Sequence, residues 1–196
     1  MLFFCMLMQE YQILTATAGD VQEIVVLAND AYRGKHSKKG WTTEAHLIEG
    51  DRMNVHTLVQ MMAKPGVVIR KCITLDHVIV GCVYLEAQSI QLYLGLLTVS
   101  PAIQATGIGK MLLRDAEEIA VQEGIPTIVI DVLSVRRELI DWYIRRGFYL
   151  TGKTMSFPVE KKLGSPLQPL ELVELKKYVG RGGIDQKVLG EFTRLK

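Results

Sequence analysis

The stretch LTVSPAIQATGIG, residues 97–109, decides the fold of this chain. Before it, residues 90–99 form an apolar run that stops at Pro101 and is predicted to be a strand. After it, residues 107–124 place apolar side chains on one face and charged side chains on the other, which predicts an amphipathic helix. A second strand is predicted over residues 127–133. Because a strand–helix–strand crossover is right-handed, we expect the two strands to be parallel neighbours or close to it.

The rest of the chain supplies further short strands and helices around this unit. Asp20, with Glu23 three residues later, has the spacing of a capping box at the start of a helix that ends near Tyr32. The other elements are predicted as strands over residues 11–16, 67–75, 78–87, 148–154 and 170–179, and as helices over residues 44–49, 55–63 and 136–146. This order predicts a mixed α/β domain.

Composition narrows the classes of function. The chain has 196 residues, which suits one domain, and a formal net charge of +2 without a Lys/Arg-rich run, which argues against nucleic-acid binding. The three cysteines are odd in number and irregularly spaced, so no disulfide framework is predicted. No apolar run approaches the ~20 residues that span a membrane, and the histidines show no metal-ligand spacing. We expect a cytoplasmic protein with no metal, no membrane partner and no nucleic-acid partner.

A glycine-containing segment, Gln104-Ala105-Thr106-Gly107-Ile108-Gly109, separates the strand from the helix. Glycines let the backbone turn tightly, and the free N–H groups of a helix's first turn favour an anion. The segment is therefore either a cradle for a pyrophosphate or a tight turn without a ligand. It is not a P-loop, because Gln104 replaces the first glycine and Met111 follows Lys110. Nor is it a dinucleotide fingerprint, because Leu112 replaces the third glycine.

Two motifs in register resemble those of the GNAT superfamily of N-acetyltransferases. Leu97-Thr98-Val99-Ser100-Pro101, followed by Gln104-x-x-Gly107-x-Gly109, resembles its motif A, and Tyr143-Ile144-Arg145-Arg146-Gly147-Phe148 resembles its motif B. The resemblance implies a domain over residues 9–179, an N-terminal extension over residues 1–8 and a tail over residues 180–196. It also implies a mostly antiparallel sheet with one splayed parallel pair of strands and helices on both faces.

The resemblance implies a function and a role for each matched position. Acetyl-CoA is the co-substrate, and its acetyl group passes to a primary amine, a small molecule or a peptide, by direct attack. The backbone of Leu97 and Val99 binds the pantetheine arm as an added strand would, and Tyr143 is the general acid that protonates the leaving thiolate. The pyrophosphate is held by the residues at the helix start: Gln104, Ala105, Thr106, Gly107, Ile108, Gly109 and Lys110.

The sequence departs from the superfamily's pattern at three points. Ala105 and Thr106 lack the frequent basic residue, so the charge that balances the phosphates must come from elsewhere. Arg136 replaces an asparagine that often holds the cofactor, and it is either a phosphate contact or a solvated arginine at the start of a helix. The strand before the cradle has no carboxylate to act as general base, which leaves Glu86, Asp131 or a chain of waters. A second interpretation therefore stays open: a module of the same fold that binds acyl-CoA without turnover.

A polar segment between the first two helices is the candidate acceptor site. Residues 37–45 resemble a segment of one branch of the superfamily, and Trp41 with Glu44 has the chemistry to bind a cationic amine through cation–π contact and charge. Alternatively, Trp41 pins the loop to the body and Glu44 favours the start of a helix. The tail over residues 180–196 has apolar side chains at helical spacing, so it docks on the body, docks on a second copy as a homodimer, or stays loose.

Overall fold

The computed structural model describes residues 10–40, 42–158 and 164–180. Within them the chain forms four α-helices and nine strands. The helices are α1 (Val21–Tyr32), α2 (Val55–Met62), α3 (Ile108–Gln122) and α4 (Arg137–Ile144). The strands are β1 (Tyr11–Thr15), β2 (Ile48–Glu49), β3 (Val67–Thr74), β4 (Ile79–Gln88), β5 (Gln91–Val99), β6 (Thr127–Leu133), β7 (Tyr149–Ser156), β8 (Ser165–Pro166) and β9 (Glu171–Tyr178). Apart from residues 44–49, the predicted elements are present within two residues of their predicted ends.

Seven strands form one sheet in the order β1-β3-β4-β5-β6-β9-β7. Neighbouring strands are antiparallel except β5 and β6, which α3 connects as parallel neighbours. On one face α1 and α2 pack through a core that includes Ile24, Leu58 and Tyr84. On the other face α3 and α4 pack through a core that includes Leu112 and Ile140. The mixed α/β architecture with a mostly antiparallel sheet is therefore confirmed.

The parallel strands separate after a short contact. Within the described residues, pairing of β5 with β6 is confined to residues 91–93 and 127–129. On its other side β5 stays paired with β4, but the register shifts between Cys82 and Tyr84, and Leu96 has a φ of 47°. A bulge of this kind bends a strand and increases its twist. The second half of β5 therefore diverges from β6 and leaves a gap in the middle of the sheet.

The prediction of a helix over residues 44–49 is wrong. These residues form a turn and then β2, which pairs antiparallel with β8. Leu47 and Ile48 are buried together with Leu133 and Leu170. An isolated helix of this length is marginal in water, so the contacts that bury these two adjacent side chains override the weak local signal.

The start of α1 also differs from the prediction. Asp20 does not form a capping box with Glu23. It forms one with Thr17, and its carboxylate accepts a 2.6 Å hydrogen bond from Nζ of Lys71. Glu23 accepts a 2.8 Å hydrogen bond from the backbone N–H of Ile79 at the start of β4. A partner in the sheet thus replaces the local partner that the spacing predicts.

The cysteines on β3 and β4 are buried free thiols. Cys72 lies opposite Gly81, as the hairpin predicts, and Cys82 belongs to the core on the other face of the sheet. Burial raises the pKa of Cys72 to about 11 and that of Cys82 to about 12. No helix in the described ranges is long and apolar enough to cross a membrane. The predictions for residues 1–8 and for most of the tail lie outside the described residues.

Candidate active site

A cavity of about 560 Å³ occupies the gap between β5 and β6. Its walls include the start of α3 on one face of the sheet and the end of α1 on the other, so the gap passes through the sheet. Most of the site residues predicted from the motifs line it: Leu97, Val99, Gln104, Ala105, Gly107, Ile108, Gly109, Lys110 and Tyr143. Thr106 is not among the lining residues, and its hydroxyl donates a 2.8 Å hydrogen bond to the carbonyl of Ile103.

The backbone before α3 is shaped for an anion. Ala105 and Gly107 have φ values of 67° and 106°, a region that glycine adopts without strain. Gly107 is the N-cap of α3, and a glycine has no side chain with which to cap the helix. The first N–H groups of a helix have no intrahelical acceptor, so those of Ile108 and Gly109 are available at the cavity wall. This uncapped, positively polarised end fits a pyrophosphate.

Positive charge beside this segment comes from Arg146. A Cβ added to Gly109 would lie 3.5 Å from the ring of Trp142, so that ring is next to the helix start. The guanidinium of Arg146 stacks 3.5 Å from the centroid of the same ring and donates a 2.7 Å hydrogen bond to the Trp142 carbonyl. Burial lowers the pKa of Arg146, yet an arginine stays charged in proteins. Arg146 and Lys110 both line the cavity, and they supply charge that Ala105 and Thr106 lack.

Tyr143 is both a core residue and part of the cavity wall. It is 2% exposed, and its ring makes edge contacts with Trp142 and Phe148 at centroid distances of 5.0 and 5.3 Å. Burial raises the pKa of its phenol well above the ordinary value. The group therefore holds its proton at neutral pH, which a general acid must do. The packing fixes the ring so that its position does not depend on a ligand.

The carbonyls of β5 at the predicted pantetheine site already accept side-chain hydrogen bonds. The hydroxyl of Tyr32 donates to the carbonyl of Leu97 at 3.2 Å, and Nε2 of Gln104 donates to the carbonyl of Val99 at 3.3 Å. Each carbonyl oxygen keeps a second lone pair. A pantetheine amide that binds here would share these acceptors with Tyr32 and Gln104.

Of the two carboxylates considered as general base, one lines the cavity. Asp131 lies on β6 at the cavity wall. The pKa of the Tyr93 phenol is raised, first by burial and then by the charge of Asp131 and a hydrogen bond with its carboxylate. Glu86 is not among the lining residues, and its carboxylate accepts a 2.7 Å hydrogen bond from the hydroxyl of Tyr84. The geometry therefore favours Asp131 over Glu86.

Glu44 joins two distant parts of the chain through a buried ion network. Its Oε2 accepts a 3.2 Å bond from Arg33 and its Oε1 a 3.0 Å bond from Arg136, and the three side chains are at most 9% exposed. Of the two alternatives for Arg136, the solvated arginine is wrong, because its guanidinium also donates to the hydroxyl of Thr42 and is buried. Trp41 lies outside the described residues. No local pattern signals this network, since its partners are far apart in sequence.

The comparisons with known proteins agree with this geometry. The model of the acetyltransferase (GNAT) family matches residues 22–148. No curated protein is similar enough in sequence to count as a relative. Among solved structures, the ribosomal-protein-S18-alanine N-acetyltransferase from Escherichia coli is similar with a TM-score of 0.64 at 13% identity, over 89% of this chain and 97% of that chain.

Two further similar structures were solved with a bound coenzyme. A phosphinothricin acetyltransferase from Sinorhizobium meliloti in complex with AcCoA has a TM-score of 0.66 at 15% identity, over 90% of this chain and 92% of that one. The PaiA N-acetyltransferase from Thermoplasma acidophilum in complex with coenzyme A has a TM-score of 0.62 at 15% identity, over 86% and 98%. At these identities the likeness shows the fold.

The chain belongs to the GNAT family of acetyltransferases, because the family model spans more than half of it. It is therefore an acyltransferase, and acetyl-CoA is its co-substrate. Whether the glycine-containing segment holds the pyrophosphate of this co-substrate stays a prediction.

Proposed function

We propose that this chain transfers the acetyl group of acetyl-CoA to a primary amine that attacks directly. One observation carries the proposal: a proton donor, Tyr143, and a carboxylate, Asp131, line the same cavity as the uncapped start of α3. Direct transfer needs two bound reactants held in reach and two proton movements. The cavity brings together residue types suited to each of these tasks.

Acetyl-CoA supplies an acyl group activated as a thioester. The N–H groups at the start of α3 would hold its pyrophosphate, with Arg146 and Lys110 contributing charge. The edge of β5 after Tyr93, which has left β6, would pair with the pantetheine arm. The acetyltransferases of similar fold from Sinorhizobium meliloti and Thermoplasma acidophilum were solved with AcCoA or coenzyme A, which supports this coenzyme as the ligand.

Two side chains would move the protons. Asp131 would take the proton that the acceptor amine must lose, directly or through water, and the phenol of Tyr93 bonds to that carboxylate and holds it in place. Tyr143 would donate a proton to the departing thiolate, because a phenol is protonated at neutral pH. The backbone N–H of Val99 would stabilise negative charge on the acyl oxygen.

The acceptor site proposed from the sequence needs one refinement. Both oxygens of Glu44 are bonded to arginines, so a cationic acceptor would have to compete with two guanidinium groups. We assign Glu44 to holding the cavity wall, with direct contact between Trp41 and the acceptor as the remaining part of the proposal.

The test separates catalysis from binding alone. Free thiol released from acetyl-CoA is followed with a panel of primary amines, and CoA binding is measured by calorimetric titration. Amine-dependent thiol release, with the acetylated amine identified by mass spectrometry, supports the proposal. Tight CoA binding with no amine-dependent release across the panel would support the alternative, a module that binds acyl-CoA without turnover.

A further inference from the structure

Arg52 presents a guanidinium to the cavity on the side of α1. It lines the cavity, is half-buried, and its Cζ lies 5.0 Å from the centroid of the Tyr32 ring. The hydroxyl of Tyr32 in turn donates to the carbonyl of Leu97 on β5. Tyr32 therefore links Arg52 to the strand beside which the acetyl group is proposed to lie.

Two polar side chains, one in α1 and one just after it, hold the loop that carries Arg52. Oδ1 of Asn29 accepts hydrogen bonds of 2.8 and 2.9 Å from the backbone N–H groups of Arg52 and Met53, and its Nδ2 donates to the carbonyl of Met53 at 2.8 Å. Nη1 of Arg33 donates to the carbonyls of Gly50 and Asp51 at 3.3 and 2.9 Å. The backbone of Arg52 is thus fixed before any ligand binds, which lowers the entropic cost of binding.

This side of the cavity has an excess of positive charge. Among the described lining residues near α1, three arginines (Arg33, Arg52 and Arg136) face two carboxylates (Glu44 and Asp131), a net charge of 3 − 2 = +1. Glu44 is already bonded to the other two arginines. In the part of the chain that the structure describes, no carboxylate oxygen lies within 4.0 Å of the Arg52 guanidinium.

The electrostatics of the neighbouring arginine agree with this arrangement. Burial and the nearby charge of Arg52 both lower the pKa of Arg33, while Glu44 opposes them. Two cations held close together by the fold attract an anion, and a guanidinium matches a carboxylate through two parallel hydrogen bonds. A polycationic acceptor would meet the same excess of positive charge as repulsion.

We propose that the acceptor amine carries a carboxylate and that Arg52 binds this carboxylate, so that the substrate class is an amino acid. Asp131 would face the amino group, and the carboxylate would lie toward Arg52 and the ring of Tyr32. This inference rests on the proposed acetyl transfer to an amine, and it adds the chemical class of the acceptor.

Matched acceptors provide the test. Wild type, Arg52→Gln and Arg52→Lys are assayed with α-, β- and γ-amino acids, each beside its carboxamide and its decarboxylated amine, and with a polyamine. We expect wild type to prefer at least one amino acid over its carboxamide and its decarboxylated amine, which both lack the carboxylate, by about 100-fold in kcat/KM. Arg52→Gln should lower kcat/KM for that amino acid by at least about 10-fold and change the value for its carboxamide less than 2-fold, because a charge-assisted bidentate contact is lost. The kcat/KM of Arg52→Lys for that amino acid should lie between the values of wild type and Arg52→Gln.

The outcomes distinguish this inference from the function on which it rests. Equal or better acetylation of the carboxamide, the decarboxylated amine or the polyamine by wild type overturns the inference and leaves amine acetylation standing. If Arg52→Gln lowers kcat/KM equally for the amino acid and for its carboxamide while CoA affinity is unchanged, the inference is also overturned. Arg52 then acts on the structure of the site. If no amine is acetylated while CoA binds, the proposed function itself fails. Unchanged CoA affinity in each variant shows that the chain is folded.

Discussion

The carboxylate of Glu44 lies 3.0 Å from Nη1 of Arg136, and this contact joins the loop after α1 to the residue that precedes α4. The two positions are 92 residues apart in the chain. Arg33 bonds to the other oxygen of the same carboxylate. The network therefore fixes two walls of the cavity relative to each other, and its loss should affect stability before it affects chemistry.

We predict that Glu44→Gln lowers the free energy of unfolding by about 3–5 kcal/mol, because removal of one partner leaves buried arginine charge uncompensated. Urea denaturation at an unchanged m-value measures this loss. Glu138→Gln is the matched control: this carboxylate also contacts Arg136, at 3.6 Å, but its side chain is 44% exposed. The control substitution should lower the free energy of unfolding by less than about 1 kcal/mol. Equal effects of the two substitutions would remove the structural role assigned to Glu44.

Gly107→Asp should weaken CoA binding by more than about 10-fold, or about 1.4 kcal/mol, because it places a carboxylate at the proposed pyrophosphate site. Gly124→Asp at the other end of α3 is the control. It also has a positive φ, of 69°, and its added Cβ would meet no atom within 4 Å. Both variants should lose some stability through backbone strain, and only Gly107→Asp should weaken binding in a calorimetric titration. Unchanged affinity in a folded Gly107→Asp would remove the site.

Tyr143→Phe should lower kcat by roughly 10²–10⁴ and leave CoA affinity and the ring packing intact, because only the proton donor is lost. The raised pKa of Tyr143 keeps its phenol protonated beyond pH 10. The kcat profiles of wild type and variant should therefore run parallel between about pH 7 and 10, with no alkaline fall caused by this residue. Tyr149→Phe, outside the cavity, should leave kcat unchanged. A full rate in Tyr143→Phe would make Tyr143 a packing residue only.

Asp131→Asn should lower kcat by roughly 10²-fold or more if this carboxylate takes the proton from the amine. Glu86→Gln is the comparison, since Glu86 was an equal candidate from sequence and is absent from the cavity wall. Steady-state kinetics with a saturating amine measure both. If Glu86→Gln is the slower enzyme, Asp131 is not the base. If neither variant is slowed, Asp131 is again not the base, and water accepts the proton.

Much of the fold was predictable because its signals are local. Pro101 ends β5, the glycines open α3, and the apolar spacing of residues 107–124 marks the buried face of that helix. These signals act through neighbouring residues, whose spacing is the same in the unfolded chain. The prediction of a helix over residues 44–49 failed because the side chains that determine the conformation of this segment, Leu133 and Leu170, are far from it in the sequence.

The proposed site was partly predictable for the same reason. The segment 104–110 and Tyr143 occur in motifs whose spacing is visible in the sequence, and Arg146 lies four residues after Trp142, in the turn that follows α4. What remained open was which carboxylate reaches the cavity. That choice depends on where β5 leaves β6, and a strand pattern alone does not show where pairing stops.

The sequence by itself determined the order of strands and helices, the start of α3 and the motif positions, because each depends on backbone preferences and periodicity over a few residues. Only the tertiary structure decided that Arg136 is buried against Glu44, that Asp131 faces the cavity and that Arg52 stands over Tyr32. These relationships join residues from separate elements. Their charges and hydrogen bonds select partners only after burial has brought those elements together and excluded water.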